Sequence, residues 1–134
     1  MKKIAEQIKR VGLIANPEKT SGAPVIRQAA ALIAASGRQA LAEGATARMA
    51  KLKIASHPTA AALARQCDLL LVFGGDGTML QVAREVAGCR TPLLGINLGS
   101  LGFLTAVPSD QLRTALQQVW AGEFGVESRP LIQV

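Results

Sequence analysis

The sequence predicts an α/β fold, an open domain of the three-layer type built around a mostly parallel sheet. Short apolar runs typical of buried strands alternate along the chain with stretches of helical pattern. This alternation implies parallel strands joined by right-handed crossovers. Of the 134 residues, 49% are hydrophobic and 18% are charged, which excludes disorder caused by low hydrophobicity and leaves enough apolar side chain for one core.

Turn residues divide the first half of the chain into strands and helices. Asn16-Pro17 ends a short apolar run, and Gly37 ends an Ala-rich stretch, as expected of a strand entering a loop and of a helix C-terminus. Pro58 fits the first turn of a later helix. The predicted elements are a strand at 10–15, a helix at 23–36, a short strand at 38–41 with an irregular link to 50, a strand at 53–55 and a helix at 57–66.

The second half contains the clearest strand of the chain. Residues 68–73 read Asp-Leu-Leu-Leu-Val-Phe, the composition expected of a strand buried on both faces of a sheet. Ser109 is the expected N-cap of the last helix, and Gly122 ends it. The predicted elements are a strand at 68–73, a helix at 78–87, a strand at 91–96, a glycine loop at 97–102, a helix at 109–120 and strand character at 124–134.

Charge and cysteine usage exclude several classes of protein. Residues 1–65 carry 11 Lys and Arg against 3 Asp and Glu, but without long basic runs, and aromatic residues are only 3% of the chain. Solvated helix faces therefore explain the charge better than a nucleic-acid surface, and we expect no nucleic-acid partner. Cys67 and Cys89 have neither zinc nor redox spacing. The chain shows neither a signal peptide nor a membrane span, so a cytoplasmic protein without a membrane partner is expected.

The glycine turn Gly74-Gly75-Asp76-Gly77 lies directly after the buried strand and before a helix. Ligands of open α/β sheets bind beyond the carboxyl ends of strands, where glycine lets the backbone approach a phosphate and a helix start offers free N–H groups. The sequence has neither the P-loop nor the Rossmann pattern. Asp76 would repel a phosphate unless it accepts a proton from a hydroxyl or holds a divalent cation; the alternative is an ordinary helix N-cap.

The segments GGDGTML at residues 74–80 and GINLGSLGFLT at residues 95–105 closely resemble bacterial NAD kinases. The resemblance extends over most of the chain, through Asn16-Pro17, Lys19 and Glu127-Ser128-Arg129. It implies transfer of a phosphoryl group from ATP or polyphosphate, with a divalent cation such as Mg²⁺, to the 2′-hydroxyl of the NAD adenosine ribose. It also implies NAD and ATP as partners and a homo-oligomeric full-length enzyme.

The resemblance further implies roles for individual residues. Asp76 would be the general base, and no metal ligand is implied. Phe103 and Leu104 would lie against the adenosine, although core packing is nearly as well supported by the residues themselves. The glycines of the second segment would shape its loop, and Asn97 would fix that loop through side-chain to backbone hydrogen bonds. The implied substrate-binding residues are Gly75, Asp76, Gly77, Thr78, Phe103 and Leu104.

One feature of the family is missing from this chain. The family's second domain supplies an Asn-Glu pair that grips the ribose, and neither Asn16 nor Asn97 is followed by Glu. We therefore expect residues 1–124 to be the N-terminal nucleotide-binding domain, with 125–134 beginning the connection to a second domain, and the piece alone to fold without activity. A lipid or sugar kinase of the wider GGDG superfamily is one alternative. A non-catalytic dinucleotide-binding module is another, although retention of Asp76 argues against it.

Overall fold

The computed structural model describes residues 2–100 and 102–126, in which six parallel strands form one sheet flanked by helices. The strands are β1 (Arg10–Ala15), β2 (Gln39–Glu43), β3 (Ser56–His57), β4 (Leu69–Gly74), β5 (Leu93–Asn97) and β6 (Val107–Pro108). The helices are α1 (Lys2–Gln7), α2 (Ala23–Ala35), α3 (Gly44–Ala50), α4 (Ala60–Gln66), α5 (Asp76–Glu85) and α6 (Leu112–Trp120). The predicted α/β fold with a mostly parallel sheet is confirmed.

The strand order across the sheet is β3-β2-β1-β4-β5-β6. The chain builds outward from β1 to β3, then crosses back to place β4 on the other side of β1 and builds outward again. The direction of winding therefore reverses between β1 and β4. At such a reversal the loops that leave the two strands diverge to opposite faces of the sheet, and the crevice between them is the usual ligand site of an open α/β sheet.

Strand β4 is the centre of the core, and all six of its residues are buried. On one face of the sheet Leu71 and Phe73 pack in a cluster with α2, α3 and α6, and on the other Leu70 and Val72 pack with α4 and α5. Burial on both faces agrees with the prediction from the apolar run. It also fixes the carboxyl end of the strand, Gly74, at the crevice.

Residues 44–50 correct the sequence prediction, because they form α3 and not an irregular link. The helix ends at Lys51, which adopts the left-handed conformation (φ 56°) that glycine usually supplies, so the sequence lacks the expected stop. Buried Thr46 accepts a hydrogen bond from the Ala15 N–H (3.0 Å). Helix α3 thereby anchors the carboxyl end of β1 beside the crevice.

The edge strand and the helix after it begin later than predicted. The strand expected at 53–55 is instead β3, and Thr59 caps α4 by accepting a hydrogen bond from the Ala62 N–H (3.1 Å). Pro58 therefore precedes α4 and does not occupy its first turn, and His57 lies in β3. The Thr59 cap decides the boundary because it satisfies an N–H that the helix itself leaves unpaired.

The last two helices also differ from the prediction. Helix α5 begins at Asp76, two residues early, and Ser109 opens a short 3-10 turn without capping α6.

Residues 124–126 are not in a strand. The rest of the strand expected at 124–134, with Glu127-Ser128-Arg129, lies outside the described residues. Helix α1 and strand β6 have no counterpart in the sequence prediction. None of the helices in residues 2–100 and 102–126 has the length and apolarity to cross a membrane.

Candidate functional site

Three loops meet at the carboxyl edge of the sheet, beside the reversal between β1 and β4. The loop after β1 is joined to β4 where the Asn16 N–H donates to the Phe73 carbonyl (3.2 Å). The loop after β5 is joined to the same strand where the Leu98 N–H donates to the Gly74 carbonyl (3.2 Å). The glycine turn after β4 lies between them. The crevice predicted by the topology is therefore built from residues that the sequence analysis singled out.

The glycine turn leaves the start of α5 open. Gly75 is the N-cap in an extended conformation (φ −113°, ψ −170°), and no side chain caps the helix. A Cβ on Gly75 or Gly77 would meet no heavy atom within 4 Å, whereas a Cβ on Gly74 would lie 2.6 Å from Thr78 Oγ1 and 2.8 Å from Thr78 Cβ. Gly74 is therefore needed for packing, and Gly75 and Gly77 border open space. The uncapped N–H groups and the positive end of the helix dipole can accept an anion there.

The loop after β5 is held by the buried side chain of Asn97, which is 3% exposed. Its Oδ1 accepts a hydrogen bond from the Gly99 N–H (2.7 Å), and its Nδ2 donates to Thr105 Oγ1 (2.7 Å). The prediction that Asn97 fixes this loop by side-chain to backbone hydrogen bonds is confirmed.

The carboxylate of Asp76 joins the two glycine loops. Its Oδ2 accepts the Phe103 N–H (2.7 Å), and its Oδ1 accepts the Leu104 N–H (2.9 Å), the Thr105 N–H (3.1 Å) and the Thr105 hydroxyl (3.1 Å). Gly75, and not Asp76, holds the N-cap position. The ordinary capping role that competed with a functional one is therefore wrong for this residue.

These donors hold the pKa of Asp76 below its ordinary value of 3.8, with the Phe103 and Leu104 N–H groups as the largest causes. The group stays ionised at neutral pH, and its negative charge is shared with four hydrogen-bond donors. Because the folded pKa is depressed, the stabilisation from these bonds is complete above the ordinary pKa and is lost as the pH falls through the lowered one.

Two glycines allow the second loop to approach this closely. A Cβ on Gly102 would overlap the Asp76 carboxylate and would lie 2.7 Å from Thr105 Oγ1. A Cβ on Gly95 would lie 2.9 Å from Thr105 Cα and 3.0 Å from the Leu104 carbonyl oxygen. Because they lack a side chain, Gly102 lets the loop approach the Asp76 carboxylate and Gly95 lets residues 104–105 pack against β5.

Phe103 and Leu104 differ in their surroundings. Phe103 is 81% exposed, so the alternative that it is a core residue is wrong, while Leu104 is partly buried. The backbone N–H groups of both residues donate to Asp76, the first residue of α5, which places the backbone of this segment at the uncapped helix start.

The described residues do not assemble a metal site of their own. In residues 2–100 and 102–126 no three His, Cys, Asp or Glu side chains gather as metal ligands, and Asp76 already accepts four hydrogen bonds. The described carboxylates therefore do not form a cation cage made of protein ligands alone.

Residues 11–124 match a family model described as the ATP-NAD kinase N-terminal domain. The chain belongs to the NAD kinase family. The NAD kinase of Burkholderia cenocepacia (strain HI2424) is 37% identical over 133 residues, which cover 98% of this chain and 44% of that protein. The NAD kinase of Acidovorax sp. (strain JS42) is 52% identical over 71 residues, 53% of this chain and 24% of that protein. The chain therefore spans less than half the length of these curated relatives.

Two solved structures share the fold of this NAD kinase family member. Yeast NADH kinase complexed with NADH aligns with a TM-score of 0.74 at 18% identity, covering 85% of this chain and 38% of that one. An NAD kinase from Archaeoglobus fulgidus in complex with ATP aligns with a TM-score of 0.57 at 20% identity, covering 81% of this chain and 36% of that one. At these identities the likeness concerns the fold.

The fold of this NAD kinase family member brings most of the predicted site residues together. Asp76 contacts the backbone of Phe103 and Leu104, and Gly77 and Thr78 lie in the first turn of α5. Lys19 is exposed in the loop after β1. Sequence reasoning missed Thr105, which is fully buried and bonded to Asp76. The sequence shows Thr105 at the end of the GFLT segment, but it does not show that the hydroxyl of Thr105 binds Asp76.

Proposed function

We propose that this chain is the N-terminal, nucleotide-binding domain of an NAD kinase, an enzyme that transfers the γ-phosphoryl group of ATP to the 2′-hydroxyl of the NAD adenosine ribose. The observation that carries the proposal is the Asp76 carboxylate, which binds the second glycine loop and stands at the uncapped start of α5. One carboxylate thereby connects a candidate phosphate site to a candidate nucleoside site. The NAD kinase reaction needs a phosphate site and a nucleoside site side by side, and membership of the family supports that reaction.

In the proposed reaction each part of the crevice has one task. The N–H groups of Gly77 and Thr78 bind phosphate oxygens, and Phe103 and Leu104 border the adenosine. Oδ2 of Asp76 accepts the proton of the 2′-hydroxyl as its oxygen bonds to the γ-phosphorus and the bond to ADP breaks. Phosphoryl transfer has a loose transition state in most analyses, so the hydroxyl needs only modest activation. A base of lowered pKa is therefore sufficient.

The phosphoryl donor and its cation are part of the proposal. ATP is the donor supported by the family, and polyphosphate is the alternative. A divalent cation such as Mg²⁺ would neutralise charge on the phosphates during transfer. Since the described residues gather no protein cage for a cation, the nucleotide's own phosphates would supply most of its ligands.

We further propose that residues 1–124 form the nucleotide-binding domain and that 125–134 begin the connection to a second domain, which completes the ribose site. The share of the curated relatives that this chain leaves unmatched supports this division. A homo-oligomeric full-length enzyme and a cytoplasmic location remain predictions from the resemblance. The isolated chain is expected to bind nucleotides weakly, with a Kd in the millimolar range or about −4 kcal/mol.

The decisive experiment measures NADP formation by the full-length enzyme from NAD and ATP, with the product separated by chromatography. Parallel reactions replace NAD with diacylglycerol, sphingosine or a sugar, and ATP with polyphosphate. We expect NADP from NAD and no lipid or sugar phosphate. Phosphorylation of a lipid or sugar without NADP would establish the wider-superfamily alternative, and tight NAD binding without any transfer would establish the non-catalytic module.

The glycine turn offers a matched pair of variants. Gly75→Ala is expected to leave the free energy of unfolding within about 0.5 kcal/mol of the parent, because its Cβ enters open space, but to weaken nucleotide binding about tenfold by obstructing close approach. Gly74→Ala is expected to destabilise the fold by about 1–3 kcal/mol, because its Cβ meets Thr78. Thermal unfolding and calorimetric titration with ATP check both. Equal losses of stability in the two variants would contradict the assignment of Gly75 to ligand approach.

A further inference from the structure

The hydrogen bonds at Asp76 are shared unequally between its two oxygens. Oδ1 accepts three of them, from the Leu104 N–H, the Thr105 N–H and the Thr105 hydroxyl, whereas Oδ2 accepts only the Phe103 N–H. Each oxygen of an ionised carboxylate offers about two lone-pair positions. Oδ1 is therefore saturated, and the remaining accepting capacity of the group lies on Oδ2.

The orientation of the Asn97 amide follows from its partners. The Gly99 N–H is a donor and lies 2.7 Å from Oδ1, so Nδ2 is the atom that lies 2.7 Å from Thr105 Oγ1. Nδ2 can only donate. Thr105 Oγ1 must therefore accept from Asn97 and use its single proton elsewhere.

Within residues 2–100 and 102–126, the acceptor of that proton is Oδ1 of Asp76, at 3.1 Å. The chain of donors thus runs in a fixed direction, from Asn97 Nδ2 to Thr105 Oγ1 and from the Thr105 hydroxyl to Asp76 Oδ1. Thr105 is 0% exposed and Asn97 is 3% exposed, so water does not compete for the hydrogen bond between them.

The backbone makes the arrangement rigid. Asn97 is the last residue of β5 and pairs in register with Gly74, the last residue of β4, so its amide is placed directly by the sheet. Thr105 is packed against Gly95, where even a Cβ would not fit. The hydroxyl is therefore held in one place relative to the start of α5.

We propose that Thr105, oriented by Asn97, is the positioning residue of the site: it holds Oδ1 of Asp76 so that Oδ2 alone faces the substrate hydroxyl. The catalytic consequence of this inference rests on the proposed function. The direction of the hydrogen-bond relay, from Asn97 through Thr105 to Asp76, does not depend on that function. Thr105 touches no reacting atom and acts only through Asp76.

The test compares three variants. Thr105→Val removes the hydroxyl at similar volume, and Thr105→Ser keeps it. Thr91→Val is the matched control, because the Thr91 hydroxyl also donates to buried backbone, at the Ala64 carbonyl (2.8 Å), in a different part of the fold. The first readout is the titration of the Asp76 carboxyl carbon by NMR in this chain. We expect Thr105→Val to raise the pKa of Asp76, and Thr105→Ser and Thr91→Val to leave it near the parent value.

The second readout is steady-state kinetics of the full-length enzyme. Thr105→Val is expected to lower kcat about tenfold, the effect of losing one hydrogen bond to a charged group, with little change in KM for NAD. Because the carboxylate must be ionised to accept a proton, the acid limb of its pH profile should move to higher pH. Thr105→Ser should restore kcat and the parent profile. Equal impairment by Thr105→Ser, or an unchanged pH profile in Thr105→Val, would overturn the positioning role.

A second variant tests the same relay without requiring that Thr105→Val folds. Asn97→Asp keeps the acceptor for the Gly99 N–H but replaces the Nδ2 donor with an acceptor, which draws the Thr105 proton away from Asp76. We expect the Asp76 pKa to rise in this variant as well; an unchanged titration would contradict the relay. If the NMR results agree with the relay and the full-length enzyme makes no NADP, the proposed function fails while the hydrogen-bond network stands.

Discussion

Asp76→Asn is expected to lower NADP formation by the full-length enzyme about 10²–10⁴-fold, the usual contribution of a positioned base. The amide cannot take the proton of the ribose hydroxyl. Its NH₂ group would also face the N–H donors of residues 103–105, so the second loop would lose part of its attachment. The measurement is kcat and KM for NAD and ATP, with hydrogen exchange of the three amides as a structural readout.

Asp68→Asn is the control for that experiment. The Asp68 carboxylate also accepts two backbone N–H groups, from Lys9 and Arg10 (both 2.9 Å), but it lies at the amino end of β4, away from the crevice. We expect this variant to lose stability and to keep its turnover per folded molecule. Turnover of Asp76→Asn within a factor of two of the parent would remove Asp76 from the role of base.

Gly102→Ala is expected to reduce kcat/KM for NAD about 100-fold, because a displacement on the order of 1 Å in a positioned site can have that effect. Its Cβ would overlap the Asp76 carboxylate, so the four hydrogen bonds cannot all persist and the loop must move. The kinetics are measured at saturating ATP, and thermal unfolding shows how much of the change is loss of fold.

Gly99→Ala is the matched control in the same loop. Among the described residues other than its chain neighbours, the nearest atom to a Cβ on Gly99 is Asn97 Oδ1 at 4.0 Å, so the added methyl is accommodated. Kinetics close to the parent are expected for it. If Gly99→Ala and Gly102→Ala impair the enzyme equally, the loop tolerates no side chain at all and the specific approach to Asp76 is not the cause.

The sequence predicted the parts of the fold whose patterns are local. Strands β1, β4 and β5 and helix α2 lie within about two residues of their predicted positions, because buried parallel strands require apolar runs and because Asn16-Pro17 and Gly37 mark element ends. Helix α3 was missed because its stop, Lys51, is not glycine. Strand β3 was misplaced because two edge residues carry too little pattern to locate.

The sequence by itself also determined that a glycine turn with a carboxylate would stand at the carboxyl end of a buried strand, which is a local property of residues 68–77. It left open whether Asp76 caps its helix or acts on a ligand. The tertiary structure excluded the capping role, because Gly75 is the N-cap and the donors that bind the Asp76 carboxylate lie 27 to 29 residues further along the chain. They reach it only after a crossover and β5 have returned the chain to the same sheet edge. Once three N–H groups and a hydroxyl converge there, they outcompete the single N–H that capping would satisfy.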